Sequence, residues 1–301
     1  MDLNLMLLAT ADGLSYAGLL FLISLGLTLI CGVFGVINVA HGSLYAVGGY
    51  SAASLVAWLL PRGVPAPLLV AALFAAALVV GGALGALLER ALLRHFEQRD
   101  PVLQLLVTFA AFMVLEDVTR MVWGATPVNA GEVASRLGTT ELLGVTFMNY
   151  QLLLVPGVAL LAFAALQMLL RHSVAGRQIM AVIHHREMAT ALGIHAARIG
   201  TLTFALAGVL GALGGALSVP MTSFVPGLGA EMIVTSFAVI ATAGLGQIGG
   251  TLVASVLIGL ARSFAIYLLP ELEVVMPYLM MVAVLLVRPH GLFTVAAARR
   301  I

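Results

Sequence analysis

Apolar residues form long runs along the chain, and the polar residues collect in the short stretches between them. A membrane helix needs roughly 20 mostly apolar residues, and this length divides the chain into about nine hydrophobic segments, with a range of eight to ten. The pattern predicts an all-α fold, a polytopic transmembrane helical bundle that occupies residues 1–301 as a single domain. The segments cover approximately residues 14–30, 31–60, 68–88, 101–123, 150–170, 199–219, 231–245, 251–269 and 276–287.

The stretch CGVFGVINVAHGSLYAVGGY, residues 31–50, differs from the other segments because it is rich in glycine and contains Asn38 and His41. Glycine costs roughly 1 kcal/mol relative to alanine inside a helix. Asparagine and histidine are unfavourable at membrane depth unless they face protein or water. The stretch therefore predicts a broken or re-entrant segment. Two interpretations remain open: the glycines permit close helix packing and His41 caps the broken helix, or Asn38, His41 and Gly42 line a polar path.

The longest polar stretch is residues 171–198. It has a large excess of arginine over acidic residues, which is typical of a cytoplasmic loop. Apolar residues recur in it at spacings near three and four, so a short amphipathic helix is expected, with Gly193 at its C-terminal end. Such a helix can lie on lipid headgroups or dock into a groove on a partner protein; a solvated loop is the alternative. The apolar residues are Ile179, Val182, Ile183, Met188, Ala191 and Leu192.

Composition supports a membrane protein. Of the 301 residues, 62% are hydrophobic and only 9% are charged, against about 25% charged in soluble domains; the mean hydropathy is +1.13. The net charge of +1 and the lack of a basic face predict that no nucleic acid is bound. The chain contains no lysine, so it cannot be a standard P-loop ATPase. Any ATP hydrolysis must therefore occur on another subunit.

Several charged residues lie near the ends of the hydrophobic segments. Glu116 and Arg120 are four residues apart and are expected to pair on one helix face. Arg262 lies within the eighth segment and needs a partner.

Glu271 and Glu273 follow Arg262 and are the candidate partners. Glu231 opens the seventh segment, where the helix dipole favours an acid. The alternative for Glu231 is contact with the amino group of a zwitterionic substrate.

Arginine also predicts the orientation of the chain. Residues 89–100 carry three arginines, residues 171–198 carry four, and the C-terminal tail carries Arg288, Arg299 and Arg300. Because arginine-rich loops remain in the cytoplasm, residues 171–198 and the C-terminus are expected there. The protein is then a multi-pass membrane protein with its N-terminus outside.

Three motifs together resemble the branched-chain amino-acid ABC transporter permeases of the LivH type. INVAHG, residues 37–42, is similar to the family's I-N-x-A-H-G, and RPHGLF, residues 288–293, is similar to its R-P-x-G-L-F. GRQIMAVIHHREMATALGI, residues 176–194, is similar to its cytoplasmic coupling loop, although His184 and His185 depart from the usual pattern. The residues that match this loop are Gly176, Arg177, Ala181, Glu187, Ala189, Gly193 and Ile194.

The resemblance implies a permease subunit of an ATP-driven importer in the bacterial inner membrane. The implied substrates are branched-chain or other apolar amino acids, with urea or short amides as the alternative. The implied partners are two ATPase subunits, a second permease subunit of the LivM type, a periplasmic substrate-binding protein and membrane lipid. This chain would bind no cofactor, because ATP and Mg would be held by the ATPase subunits. Residues 171–198 would couple those ATPases to the membrane helices.

Two other functional classes fit the sequence less well. An ion-coupled secondary transporter needs carboxylates inside the membrane, and the segment interiors are nearly free of them. An intramembrane enzyme needs a nucleophile with a base, or clustered metal ligands. His184 and His185 have no nearby cysteine and no H-E-x-x-H spacing. The sequence therefore predicts no catalytic residue and no metal site.

Overall fold

The structure, a computed structural model, describes residues 3–35, 37–96 and 99–293. This part of the chain forms thirteen α-helices and one β-hairpin. The helices are α1 (Leu3–Phe34), α2 (His41–Leu59), α3 (Ala66–Ala76), α4 (Gly82–Ala91), α5 (Pro101–Trp123), α6 (Gly131–Arg136), α7 (Val155–His172), α8 (Val174–His184), α9 (Arg186–Ala191), α10 (Ala196–Ser218), α11 (Leu228–Ala243), α12 (Ile248–Leu268) and α13 (Met276–Val287); the strands are β1 (Thr139–Leu142) and β2 (Val145–Met148).

The predicted polytopic helical bundle is confirmed. Within the described residues, seven helical stretches are long and apolar enough to cross a membrane. The π-helical turn Ala77–Gly81 joins α3 to α4 in one of these stretches. Two shorter apolar helices, α11 and α13, occupy the seventh and ninth predicted segments. With 16 residues, α11 spans about 24 Å, less than the roughly 30 Å of a bilayer core.

Close backbone packing places α10 at the centre of the bundle, against α1, α2 and α4. A Cβ atom built on Gly215 would lie 1.9 Å from the carbonyl oxygen of Tyr45 in α2. One built on Gly208 would lie 2.3 Å from the carbonyl oxygen of Gly81. Apolar surface gives little net attraction between helices in lipid, so glycine faces that let backbones touch are what hold such helices together.

The predicted broken segment is confirmed, and the break is confined to the connection between α1 and α2. Gly35, just beyond α1, has φ +65°. At the start of α2, Nε2 of His41 lies 3.0 Å from the carbonyl oxygen of Ile23. Ile23 lies about 16 Å before the end of α1 along the helix axis. The chain therefore turns back beside α1 before α2 begins, and α2 starts at the depth of the middle of α1.

The connections after α4, after α7 and after α13, which carry most of the arginines outside the helices, gather at one end of the bundle, which we call the arginine-rich end. Arg94, after α4, donates to Thr201 near the start of α10. Arg171 and Gly246 line one cleft with Gly32 of α1, and His290 lies beside the end of α11. Arg299 and Arg300 lie outside the described residues.

The opposite end of the bundle carries the connection between α5 and α7, which contains α6 and the hairpin. Strands β1 and β2 pair in antiparallel register and are joined by Leu143 and Gly144, both with positive φ, as expected for a two-residue hairpin turn. Val128 forms a backbone bridge with Phe224 in the connection between α10 and α11. These contacts link the hairpin connection to the helices beneath it.

Both ion pairs expected from the sequence are present at the opposite end. Arg120 and Glu116 lie 3.8 Å apart, and Oε1 of Glu116 also accepts a hydrogen bond of 2.6 Å from the backbone N–H of Gly227. Of the two acids proposed for Arg262, Glu273 is the partner, at 2.5 Å.

Replacing Gly215 with alanine tests the close packing of α10. We expect Gly215→Ala to lower stability by about 1–3 kcal/mol, because the added methyl group meets the Tyr45 carbonyl and the helices must separate. The control is Gly157→Ala in α7, where an added Cβ meets nothing within 4 Å. The measurement is thermal unfolding in detergent. Equal melting temperatures for the two variants would contradict the packing described here.

Candidate functional site

The predicted coupling segment begins at a tight turn between α7 and α8. Oγ of Ser173 caps α8 by accepting a hydrogen bond of 2.8 Å from the backbone N–H of Gly176, and it donates to the carbonyl oxygen of Leu169 at 2.7 Å. A Cβ atom on Gly176 would lie 2.1 Å from that same carbonyl oxygen. Glycine at this position therefore allows the start of α8 to pack against the last turns of α7.

The sequence predicts a single short helix within residues 171–198. This prediction is wrong in one respect, because the structure has two helices there. His185 has φ −152° and ψ 87°, an extended conformation that separates α8 from α9. The bend allows Ile179 and Val182 of α8 and Ala189 of α9 all to be buried.

The end of α9 has the predicted glycine. Gly193 has φ +85°, its N–H donates to the carbonyl of Thr190, and the N–H of Ile194 donates to the carbonyl of Ala189. These two hydrogen bonds form a Schellman motif, which favours glycine because of the left-handed conformation. The motif turns the chain sharply into α10, so the coupling segment connects directly to the central helix of the bundle.

The seven matched residues of the coupling segment divide into three groups. Ala181, Ala189 and Ile194 face the bundle and pack against its core, whereas Gly176 and Gly193 shape the turns at the two ends of the segment. Arg177 and Glu187 are exposed.

Exposed apolar side chains lie beside Arg177 and Glu187 on the outer side of the segment. Met188 is 63% exposed and Leu192 is 80% exposed. Together with Val174, these residues form what we call the α8–α9 surface: Val174, Arg177, Glu187, Met188 and Leu192. A mixed apolar and charged surface on short helices is typical of a site that docks into a groove.

The structure brings together the three residues predicted for a path. His41 lies between two glycines, Gly26 of α1 and Gly211 of α10, whose added Cβ atoms would come within 3 Å of its ring. A Cβ on Gly42 would lie 2.4 Å from the carbonyl oxygen of Gly229. Asn38 and His41 are fully buried. The glycines allow close packing around His41, as the first interpretation expects. The expected cap is wrong: Ala40 is the N-cap residue of α2, without a side-chain cap hydrogen bond, and the His41 ring contacts the Ile23 carbonyl instead.

Several polar atoms near the start of α2 lack a hydrogen-bond partner among the described residues. They are both side-chain amide atoms of Asn38, Nδ1 of His41 and Oγ of Ser43. A buried polar group without a partner costs about 1–3 kcal/mol, so packing alone does not explain this group of residues. A role for Asn38, His41 and Gly42 in a path across the membrane stays a prediction.

Comparison with known proteins gives the family. Residues 9–285 match the family described as branched-chain amino acid transport system / permease component. The chain belongs to this family. The high-affinity branched-chain amino acid transport system permease protein LivH of Escherichia coli K12 is 28% identical over 93% of each chain. The corresponding protein BraD of Pseudomonas aeruginosa is 26% identical, also over 93% of each chain.

Two further similarities were found. The ribose import permease protein RbsC of Escherichia coli K12 is 30% identical over 79% of this chain and 71% of its own length. Among solved structures, PsaBC from Streptococcus pneumoniae in complex with Fab aligns over 91% of this permease and 90% of that chain, with a TM-score of 0.45 and 12% identity.

The sequence did not reveal a buried ionic cluster beside the coupling segment of the permease. Glu89, in the last turn of α4, is fully buried. Its carboxylate accepts hydrogen bonds from Nε of Arg94 at 3.1 Å and from the hydroxyl of Thr201 at 2.6 Å. Arg94 also donates to the carbonyl oxygen of Ala197 at 3.2 Å. The cluster joins α4 to the first turns of α10, which follow Gly193.

One signal in the sequence was available for this cluster, since Glu89 directly follows the apolar run that ends at Leu88. We read residues 89–100 as a cytoplasmic loop because of their arginines. Partners on α10 more than 100 residues away could not be paired with Glu89 by spacing alone.

Removing Arg94 should be strongly destabilising. We expect Arg94→Ala to cost about 3–5 kcal/mol, because it leaves the buried Glu89 carboxylate without its cation. The double variant Glu89→Gln, Arg94→Ala should recover part of that loss. Arg90→Ala is the control. Arg90 is exposed and lies on α4 next to Glu89, so this variant should change stability little. Thermal unfolding of the four proteins checks this, and equal melting temperatures for Arg94→Ala and Arg90→Ala would refute it.

Proposed function

We propose that this permease is the membrane subunit of an ATP-driven importer for branched-chain or other apolar amino acids, with its arginine-rich end in the cytoplasm. The α8–α9 surface is the observation that carries this proposal. It is exposed on one side and packed into the bundle on the other, as expected of an element that receives a force from a partner and transmits it. Family membership supports the substrate class.

The partners follow from the same reasoning. Two ATPase subunits bind ATP and Mg, and one of them docks on the α8–α9 surface. This chain, without lysine, supplies no P-loop. A second permease subunit of the LivM type completes the membrane domain. A substrate-binding protein docks at the opposite end, where α6 and the β-hairpin project beyond the helices.

Contacts within the bundle provide a route for the motion. Helix α8 packs against α1, α7 and α10, and α10 packs against α2. His41 of α2 contacts both α1 and α10, so a shift of α10 changes the surroundings of Asn38 and His41. Alternating access requires two packings of such elements that are close in energy. Asn38, His41 and Gly42 would then line the path that opens and closes.

Clefts are present at both ends of the bundle. At the arginine-rich end, a cleft of about 690 Å³ is lined by Arg171, Met180 and Ile183 of the α7–α8 region and by Gly32 of α1. A second cleft, of about 810 Å³, contains Cys31 and Ile37. Two cavities near the opposite end are smaller, at about 170 and 110 Å³.

Site-directed labelling tests the orientation. Leu192→Cys places a thiol at the arginine-rich end, and Leu143→Cys places one at the hairpin; both positions are at least 70% exposed. In intact cells, a membrane-impermeant maleimide should label Leu143→Cys, and it should label Leu192→Cys only after the membrane is opened. Both variants are made on a Cys31→Ser background, because Cys31 lines a cleft at the arginine-rich end, and this background protein is the unlabelled control. Labelling of Leu192→Cys in intact cells would reverse the proposed orientation.

Charge substitution tests the coupling role of the α8–α9 surface. We expect Leu192→Glu to reduce leucine uptake at least 10-fold, because a carboxylate in an apolar docking contact costs more than about 1.4 kcal/mol. The protein should still fold and insert, since Leu192 makes little contact with the bundle. Leu143→Glu at the opposite end is the matched control. Uptake is measured in proteoliposomes that contain the assembled transporter, its binding protein and ATP.

The same assay tests the substrate class and the energy source. Unlabelled valine and isoleucine should compete with leucine, whereas ribose and urea should not. Uptake by this polypeptide alone, without ATPase subunits or ATP, would overturn the proposed mechanism. Wild-type uptake by Leu192→Glu would remove the coupling role from this surface.

A further inference from the structure

Two small cavities near the opposite end of the bundle lie around one arginine. They share four lining residues, Tyr16, Leu19, Thr222 and Arg262, and therefore adjoin each other. Their volumes are about 170 and 110 Å³, so together they approach the lower limit of roughly 300 Å³ for small-molecule pockets. The ligand class that suits this space follows from the charges on its walls.

Arg262 is held in place by two contacts. Its guanidinium carbon lies 4.2 Å from the centre of the Tyr16 ring, and Nη2 donates to Glu273 at 2.5 Å. The side chain is 20% exposed. A guanidinium group has five N–H donors, so the bond to Glu273 leaves donors for a second carboxylate. Stacking on Tyr16 fixes the plane in which those donors point.

Glu231 supplies the opposite charge in the smaller cavity. It lies in the first turn of α11 and lines this cavity together with Arg262. Its carboxylate has no hydrogen-bond or ion-pair partner within the part of the chain that the structure describes. An ion pair between Arg262 and Glu273 that served stability alone would not require a further acid in the same cavity. Glu231 is thus available to a cation from outside the protein.

The remaining walls of this cavity are apolar or bear hydroxyl groups. Leu19, Leu228 and Met232 provide apolar surface, and Tyr45 and Ser218 provide hydroxyl groups. A ligand for these walls has a cationic group, an anionic group and an apolar part within a few ångströms of one another. A simple amine would be repelled by Arg262, and a simple carboxylate would be repelled by Glu231.

We propose that the two adjoining cavities together bind a zwitterionic α-amino acid with an apolar side chain. The ammonium group binds Glu231, the carboxylate binds Arg262, and the side chain packs against Leu19, Leu228 and Met232. The site's place in import, as the first contact of the substrate with the membrane subunit, rests on the proposed function. The binding of this ligand class to the site does not rest on the proposed function.

Ligand binding tests the proposal directly. The permease, with the subunits that co-purify with it and without a binding protein, is placed in nanodiscs. Saturation-transfer NMR then compares leucine with 4-methylpentanoate, which lacks the ammonium group, and with 3-methylbutylamine, which lacks the carboxylate. Empty nanodiscs report binding to lipid. We expect the wild-type protein to prefer leucine to either analogue by about 10-fold or more, the range of a hydrogen bond to a charged group.

Substitutions assign the preference to the two residues. Glu231→Gln should abolish the preference for leucine over 4-methylpentanoate, because the ammonium group loses its carboxylate. Arg262→Gln should abolish the preference for leucine over 3-methylbutylamine. Glu271→Gln, an exposed acid outside both cavities, is the matched control. Gel filtration confirms that each variant is folded.

The outcomes separate this proposal from the proposed function. A wild-type preference in Glu231→Gln, or a wild-type protein that binds leucine no better than empty nanodiscs, overturns the site. If the wild-type protein does not bind leucine but the full transporter still imports it, the proposed function remains intact. Leucine binding that depends on Glu231 and Arg262, in a transporter that imports no leucine, supports the site and refutes the proposed function.

Discussion

Close backbone contact between helices is the constraint on which the rest of this structure depends. Gly208 and Gly215 of α10 touch the backbones of neighbouring helices, and this contact leaves space for no side chain between them. The same closeness confines His41 between α1 and α10 and brings its ring to the Ile23 carbonyl. Because lipid offers little hydrophobic force between helices, such contacts and a few internal hydrogen bonds determine how the helices are arranged.

Charged residues have different tasks at the two ends of the bundle. At the arginine-rich end, the buried carboxylate of Glu89 ties α4 to the start of α10, directly after the segment that meets a partner under the proposed function. At the opposite end, Arg262 is paired with Glu273 but retains free donors. One cluster connects helices, while the other lines a cavity. In both cases the charges lie near the ends of helices, where water is close and the cost of burying a charge is smaller than in the middle of the membrane.

Some residues of the sequence motif in the coupling segment determine how the chain folds, and others are exposed on its surface. Gly176 and Gly193 of the motif determine the two turns of the segment through close approach and positive φ. Ala189 is small and buried because α9 lies directly against the bundle. Arg177 and Glu187 are exposed, and the Arg177 guanidinium reaches only the nearby His172 carbonyl, at 3.5 Å; under the proposed function both residues face the partner. A motif defined only by letters does not distinguish these two kinds of residue.

The amino-acid sequence by itself determined the membrane class, the approximate position of each helix, the break before α2 and the turn at Gly193. These features depend on local hydropathy and backbone preference, which are readable along the chain. Only the tertiary structure decided the bend at His185, the choice of Glu273 over Glu271, the burial of Glu89 and the placement of Glu231 and Arg262 around one cavity. Each of these depends on which distant segments come into contact. In a uniformly apolar chain, the shapes of the helices and a few polar contacts determine which helices pair. Neither of these produces a repeating pattern along the sequence.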